Sequence, residues 1–148
     1  MMKNLIAFGG VIAVVVGFVA VGSAQAAEKE FVYAQATGKF TLDGKELTTG
    51  YSGHGEGKNN PAMENVRGVG PIPAGLWRIS KPREYKEMKD CFDLEPIGHD
   101  AHGRTEFLIH GDSKTHPGSR SIGCIVLDQP TREKIAESGI TLLRVVPR

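Results

Sequence analysis

The sequence is short of cysteine, aromatic residues and net charge. Cys91 and Cys124 are its only cysteines, tryptophan occurs once, aromatic residues make up 7% of the 148 residues, and the formal charge is +1. Two cysteines form at most one bridge, which excludes a disulfide-rich framework. A balanced charge gives no sign of nucleic acid or an anionic membrane as partner, and neither is expected. Internal repeats and low-complexity tracts are also missing, which excludes solenoids and arrays. Charge is sparsest at the start: within residues 1–26 Lys3 is the only charged side chain, followed by an apolar run over 5–21 and by Ala24-Gln25-Ala26. That order reads as a secretory signal peptide cut before Ala27, leaving residues 27–148 as one domain. Whether cleaved or kept as an anchor, the segment places the folded part outside the cytoplasm.

What is present is a succession of short β-favouring runs. FVYAQ, GKFTL and KELTTGY lie between 31 and 51, with Asp43-Gly44 between the second and third as a hairpin signal. Residues 52–70 are rich in Gly, His, Asn, Lys and Glu and read as a long loop of the kind that carries function. GVGPIPAGLWRIS then gives a rigid Pro turn feeding a strand, with Trp77 read as core. The charged run KPREYKEMKD over 81–90 reads as a solvated loop, and CFDLEPI and EFLIH as strands. After Cys124, IVL is a buried strand, Asp128 an N-cap, Pro130 the first turn of a helix over TREKIAES, and Gly139 its end, before a last strand over 140–146. The sum is a mainly β domain, a sandwich or barrel of about eight strands with one short helix near the C-terminus.

The chemistry gathers in HGDSKTHPGSRSIGCI, residues 110–125. A thiol with a pKa of about 8.5 is mostly un-ionised at neutral pH, so a nucleophilic cysteine needs a base beside it. His110 ends one apolar strand and Cys124 begins another, so two strand ends can bring imidazole and thiol together. Gly123 permits close backbone approach, and the amides of the Ser121-to-Cys124 turn are candidate oxyanion donors. Spacing alone leaves a second reading open: Cys91 paired to Cys124 in a bridge worth roughly 4 kcal/mol, stapling a non-catalytic cell-wall binding module. His99 and His102 in HDAH, with His110, imitate a metal site whose only further candidate ligands are Asp100, Asp112 or His54; loop His and Asp are more often solvated, and no metal or other cofactor is expected. Arg104 and Asp112 are candidates for gripping a substrate carboxylate or amine, and His54, Asn59 and Asn60 for lining a groove.

The pattern His-Gly, polar loop, Ser-x-Gly-Cys-Ile resembles the signature of the L,D-transpeptidase (YkuD-like) catalytic domain. YSGHGEGKNNP, GPIPAGLWRI, GRTEFLIHGDSKTHPGSRSIGCIVL and the terminal LLRVV look, in that order, like the peptidoglycan-targeting L,D-transpeptidase effectors of type VI secretion, and the likeness covers nearly all of 31–146. The resemblance implies Cys124 as nucleophile, His110 as base, and a carbonyl near Gly111 orienting the imidazole. It implies acyl transfer on peptidoglycan stem tetrapeptides; with the export signal the expected location is the periplasm, and the expected state is a monomer. Two departures stand out: Ile122 occupies a position commonly His, and Val126 replaces a polar residue. His116 is the candidate for the missing second histidine.

Overall fold

The computed structural model describes residues 26–148; the expected signal peptide lies outside them but for Ala26. Ten strands and one α-helix are formed among the described residues. The strands are β1 (Glu30–Ala34), β2 (Lys39–Leu42), β3 (Lys45–Thr49), β4 (Tyr51–Ser52), β5 (Gly75–Ile79), β6 (Arg83–Tyr85), β7 (Met88–Ile97), β8 (Phe107–His110), β9 (Ile125–Val126) and β10 (Leu142–Val146); the helix is α1 (Gln129–Ser138). Their order is β3-β2-β1-β10-β5-β7-β8-β9-β4, with β6 paired to β7 alone. The two outermost strands, β3 and β4, are consecutive in the chain and separated by Gly50, so the sheet curls into a nearly closed barrel. Gly50 is required where the two ends meet, because a Cβ there would lie 2.2 Å from the Val126 carbonyl oxygen.

The barrel is filled by the inward residues of each strand. Phe31 and Tyr33 of β1, Trp77 and Ile79 of β5, Phe92 and Leu94 of β7, Phe107 and Ile109 of β8, and Leu143 and Val145 of β10 are buried at every second position, the period of a pleated strand. Phe31 stacks on Phe40 at 5.1 Å, and Trp77 meets Phe107 edge-on at 5.0 Å. Trp77 is wholly buried, its Nε1 donating to the Pro73 carbonyl, as expected of a core residue.

Local sequence signals explain most elements. Asp43 (φ 50°) and Gly44 (φ 74°) turn β2 into β3. Asp128 caps α1 by accepting from the Thr131 amide at 2.9 Å, and Gly139 ends it at φ 68°. Ile135 plugs α1 into the core.

The segment 81–90 departs from the expected solvated loop. It forms a hairpin, β6 against the start of β7, turned by Lys86 (φ 46°) and Glu87 (φ 65°). Left-handed conformations at two charged, non-glycine residues build the hairpin turn without the usual Asn-Gly or Asp-Gly signature. This hairpin and the short β4 account for ten strands where about eight were expected.

Candidate active site

β8 and β9 run parallel, with Ile109 opposite Ile125 and His110 opposite Val126. Ile109 and Ile125 face the core. Alternation therefore turns His110 and Cys124 to the other face, one strand apart and two residues offset in register. Both thiols are free. Cys91 lies on β7, with β8 between it and the Cys124 strand. Two interstrand steps separate them by roughly 9.6 Å, beyond the roughly 7 Å span of a disulfide. The bridge, and with it the stapled-module alternative, does not form. Cys91 is instead buried, its sulfur against the Met88 and Lys89 carbonyls, and burial pushes its pKa up.

The His110 imidazole is almost fully buried, tilted against Tyr85 of β6 at 6.1 Å. Its Nδ1 lies 2.7 Å from the Gly111 carbonyl oxygen. A carbonyl only accepts, so Nδ1 carries the proton and Nε2 the free lone pair. Burial lowers the His110 pKa, with the cations Arg132, Arg120 and Lys86 adding to the effect against the Gly111 bond. The ring is therefore neutral at pH 7.

Burial likewise raises the Cys124 pKa, while the Leu108 amide and the Arg104 charge oppose the rise. The thiol donates to the Glu106 carbonyl at 3.7 Å, and among the described residues no hydrogen bond joins it to His110. Thiol and imidazole are both uncharged at rest, and Lys86 acts electrostatically on both.

The turn leading to Cys124 is pinned from several sides. Ser121 Oγ donates to the Cys124 carbonyl at 2.6 Å and accepts from the amides of Gly53 (2.8 Å) and Gly123 (3.1 Å). Ser52 Oγ donates to the Gly123 carbonyl at 2.9 Å and accepts from the Ile72 amide. Of the expected oxyanion donors, the Gly123 amide is thus already engaged. Gly123 sits at φ 144°, where a Cβ would lie 2.5 Å from an Arg104 nitrogen. The close approach Gly123 permits is that of Arg104.

Arg104 is buried, and its terminal nitrogens donate to four carbonyls, those of Glu64 (2.6 Å), Pro71 (2.7 Å), Gly70 (3.0 Å) and Ile122 (3.1 Å). It ties the Pro turn and the loop over 52–70 to the turn before Cys124, and these donors are not free to grip a substrate. Asp112 is similarly engaged, accepting from the Tyr51 hydroxyl (2.7 Å) and from the Ser113 and Gly118 amides. Desolvation alone would raise its pKa, but these three donors hold it below the usual carboxylate value. Burial and the Asp112 bond push Tyr51 up to about 12. His116 is exposed and bonded to Thr115, and His54 is exposed; neither has a hydrogen bond to Cys124 or His110 among the described residues. His99 packs on Trp77 and bonds Leu76, and His102 pairs with Glu64 at 2.9 Å, so the two rings serve separate structural contacts.

Cys124 opens onto a groove of about 250 Å³ walled by Arg67, Arg104, Glu106, Phe107, Ile122 and Gly123. A larger cavity of about 600 Å³ lies beyond Gly111 and Asp112, against Arg132 of α1, and does not reach the thiol. Several residues that build the site were not singled out in the sequence: Ser52, Glu64, which accepts from Gln35, Ala74 and His102, and Arg67 and Glu106 at the groove. The loop composition over 52–70 pointed to the segment that holds Ser52, Glu64 and Arg67 but not to these side chains, and Glu106 lies outside it.

A mainly β, nearly closed barrel thus carries Cys124 and His110 on one sheet face, with Cys124 at the mouth of a groove. A Tlde1 domain family model matches residues 46–147, and the chain belongs to that family. Tlde1 domains are type VI secretion effectors that modify peptidoglycan. No curated protein matches the chain. The family match begins in β3, although β1 and β2 complete the same sheet and β1 pairs with the C-terminal β10.

Proposed function

We propose that the domain is an L,D-carboxypeptidase and L,D-transpeptidase acting on peptidoglycan stem tetrapeptides in the periplasm, with Cys124 as nucleophile and His110 as base. The observation that carries this reading is the Nδ1 bond of His110 to the Gly111 carbonyl, which leaves Nε2 as the acceptor on the same sheet face as Cys124.

Rotation of the Cys124 side chain away from the Glu106 carbonyl brings Sγ toward Nε2. As Sγ attacks the carbonyl of the third-position diamino acid, Nε2 takes the thiol proton. The tetrahedral intermediate collapses with cleavage of the C–N bond, and the imidazolium returns the proton to the departing D-Ala amine. The stem remains as a thioester on Cys124. Attack by water regenerates the thiol and releases a tripeptide; attack by an amine gives exchange or a 3,3 cross-link. Since both partners start neutral, the proton moves during attack rather than before it. Positioned base catalysis is worth roughly two to four powers of ten in rate.

The test is incubation with disaccharide tetrapeptide, with and without added D-amino acid. Loss or exchange of the terminal D-Ala by the wild type, and neither by Cys124→Ala, is the expected result. Identical product profiles from the two proteins would sink the reading.

A further inference from the structure

The Cys124 groove carries two arginines and one acid. Arg67 and Arg104 both wall it, Glu106 is the only carboxylate among its lining residues, and neither arginine forms a salt bridge among the described residues. The two cations act on each other: burial lowers the Arg104 pKa and the Arg67 charge lowers it further, against the opposing charges of Cys124 and Glu64. Two cations placed together with no salt bridge to either favour an added anion. Arg104 has spent its terminal nitrogens on four carbonyls, so it contributes charge but few donors. Arg67 differs. It is exposed, and among the described residues its one side-chain hydrogen bond runs from Nη2 to the Gly103 carbonyl at 2.8 Å. A guanidinium offers five N–H donors in a planar fork suited to a carboxylate.

The apolar side of the groove points the same way. Ile122 and Val66 are the exposed large hydrophobic residues of the described chain, at 67% and 37%. Ile122 walls the groove itself, and Val66 adjoins Arg67. A small aliphatic group carrying a free carboxylate matches a groove with an apolar rim and a cationic wall.

We infer that Arg67 is a specificity-determining residue that binds a free carboxylate of the stem peptide beside Cys124, with the charge of Arg104 behind it. The inference rests on the proposed acyl transfer for the identity of the peptide. It makes the enzyme selective for stems whose carboxylate is free over those in which it is blocked as an amide.

Binding is measured by calorimetry on Cys124→Ala, so that it is read without turnover. The probes are the free tetrapeptide, the same peptide amidated at the terminal D-Ala, and the same peptide amidated at the diamino acid side-chain carboxyl. A lost charge-assisted bond corresponds to roughly ten- to hundredfold weaker binding. One of the two amidated peptides is expected to bind weaker by that factor, which identifies the carboxylate. Adding Arg67→Gln is expected to abolish the preference for the free acid, whereas Arg67→Lys retains part of it. Equal binding of all three peptides would overturn the inference, as would a preference that survives Arg67→Gln. Carboxylate-dependent binding without D-Ala release by the wild type would instead reject the proposed chemistry and leave the binding role of Arg67 standing.

Discussion

The Cys124 sulfur rests 3.7 Å from the carbonyl oxygen of Glu106, a residue held at φ 65°, and not on the imidazole of His110. A left-handed glutamate just before β8 aims that carbonyl at the thiol, so Cys124 rests as a neutral donor. Burial, which raises the Cys124 pKa, acts in the same direction. Alkylation by iodoacetamide should therefore be slow at pH 7 and accelerate as pH rises, with a midpoint above the ordinary thiol value of about 8.5. A midpoint below 7 would mean a preformed thiolate–imidazolium pair and contradict the neutral resting state.

In the proposed mechanism His110 sets the acid limb of activity. Its pKa is lowered chiefly by burial, so the ring stays neutral, and competent as a base, to below the usual value of about 6.5. The profile of kcat/KM against pH should rise through a midpoint below 6.5 and then hold a plateau to the alkaline thiol limb. His110→Ala should lower kcat/KM by roughly two to four powers of ten with the fold intact by circular dichroism. An acid limb above 7 would assign the base elsewhere.

Gly111 serves His110 through its carbonyl and is confined by Arg132. A Cβ at Gly111 would lie 2.8 Å from an Arg132 nitrogen and 3.2 Å from the Met88 sulfur. Arg132 is buried and bonded to the Lys89 and Asp90 carbonyls, so it cannot withdraw freely. Gly111→Ala should cost about 1–3 kcal/mol in denaturant titration and lower kcat by tenfold or more through a displaced carbonyl. Wild-type stability and turnover would show that the spacing at Gly111 is unimportant.

Ser121 carries no proposed chemical step, yet its hydroxyl fixes the turn before Cys124. Ser121→Ala leaves the Gly53 and Gly123 amides without their acceptor. Two buried donors stripped of a partner should cost about 1–3 kcal/mol or more, read as a lower melting temperature, with kcat reduced more than KM is raised.

How much of this was legible in the sequence depends on how local the cause is. The β2–β3 turn and both ends of α1 follow from residues at their own positions: Asp43-Gly44, Asp128 and Gly139. The hairpin over 83–91 was not legible, since Lys86 and Glu87 adopt a conformation their side chains do not favour, and Tyr85 reaches His110 only through it. At the site, the motif over 110–125 marked His110, Gly111, Ser121 and Cys124 as neighbours. The engagement of Arg104, Asp112 and the Gly123 amide depends on partners dozens of residues away or on one turn's geometry, which spacing does not encode. His116 and His54 sit in exposed loop positions for the same reason: being close in sequence to a motif does not bring a side chain to its centre.

Acid sensitivity follows from carboxylates that brace the same loops. Desolvation alone would raise the pKa of Glu64, Asp112 and Asp128, but hydrogen bonds from neighbouring amides and side chains leave all three below their ordinary values. A depressed folded pKa stabilises above the unfolded value near 4 and is lost as pH falls through the folded one. The melting temperature should therefore be flat near pH 6 and drop below about pH 4. Glu64→Gln should lower it at pH 6 and make the drop shallower.

The central claim is that Cys124 carries the stem peptide as a thioester. Intact-mass spectrometry of protein quenched in acid during turnover of disaccharide tetrapeptide tests it directly. The account predicts an adduct equal to the substrate less D-Ala, mapped to the peptide containing Cys124 and released by hydroxylamine. Release of D-Ala without any adduct, undiminished in Cys124→Ala, would contradict it.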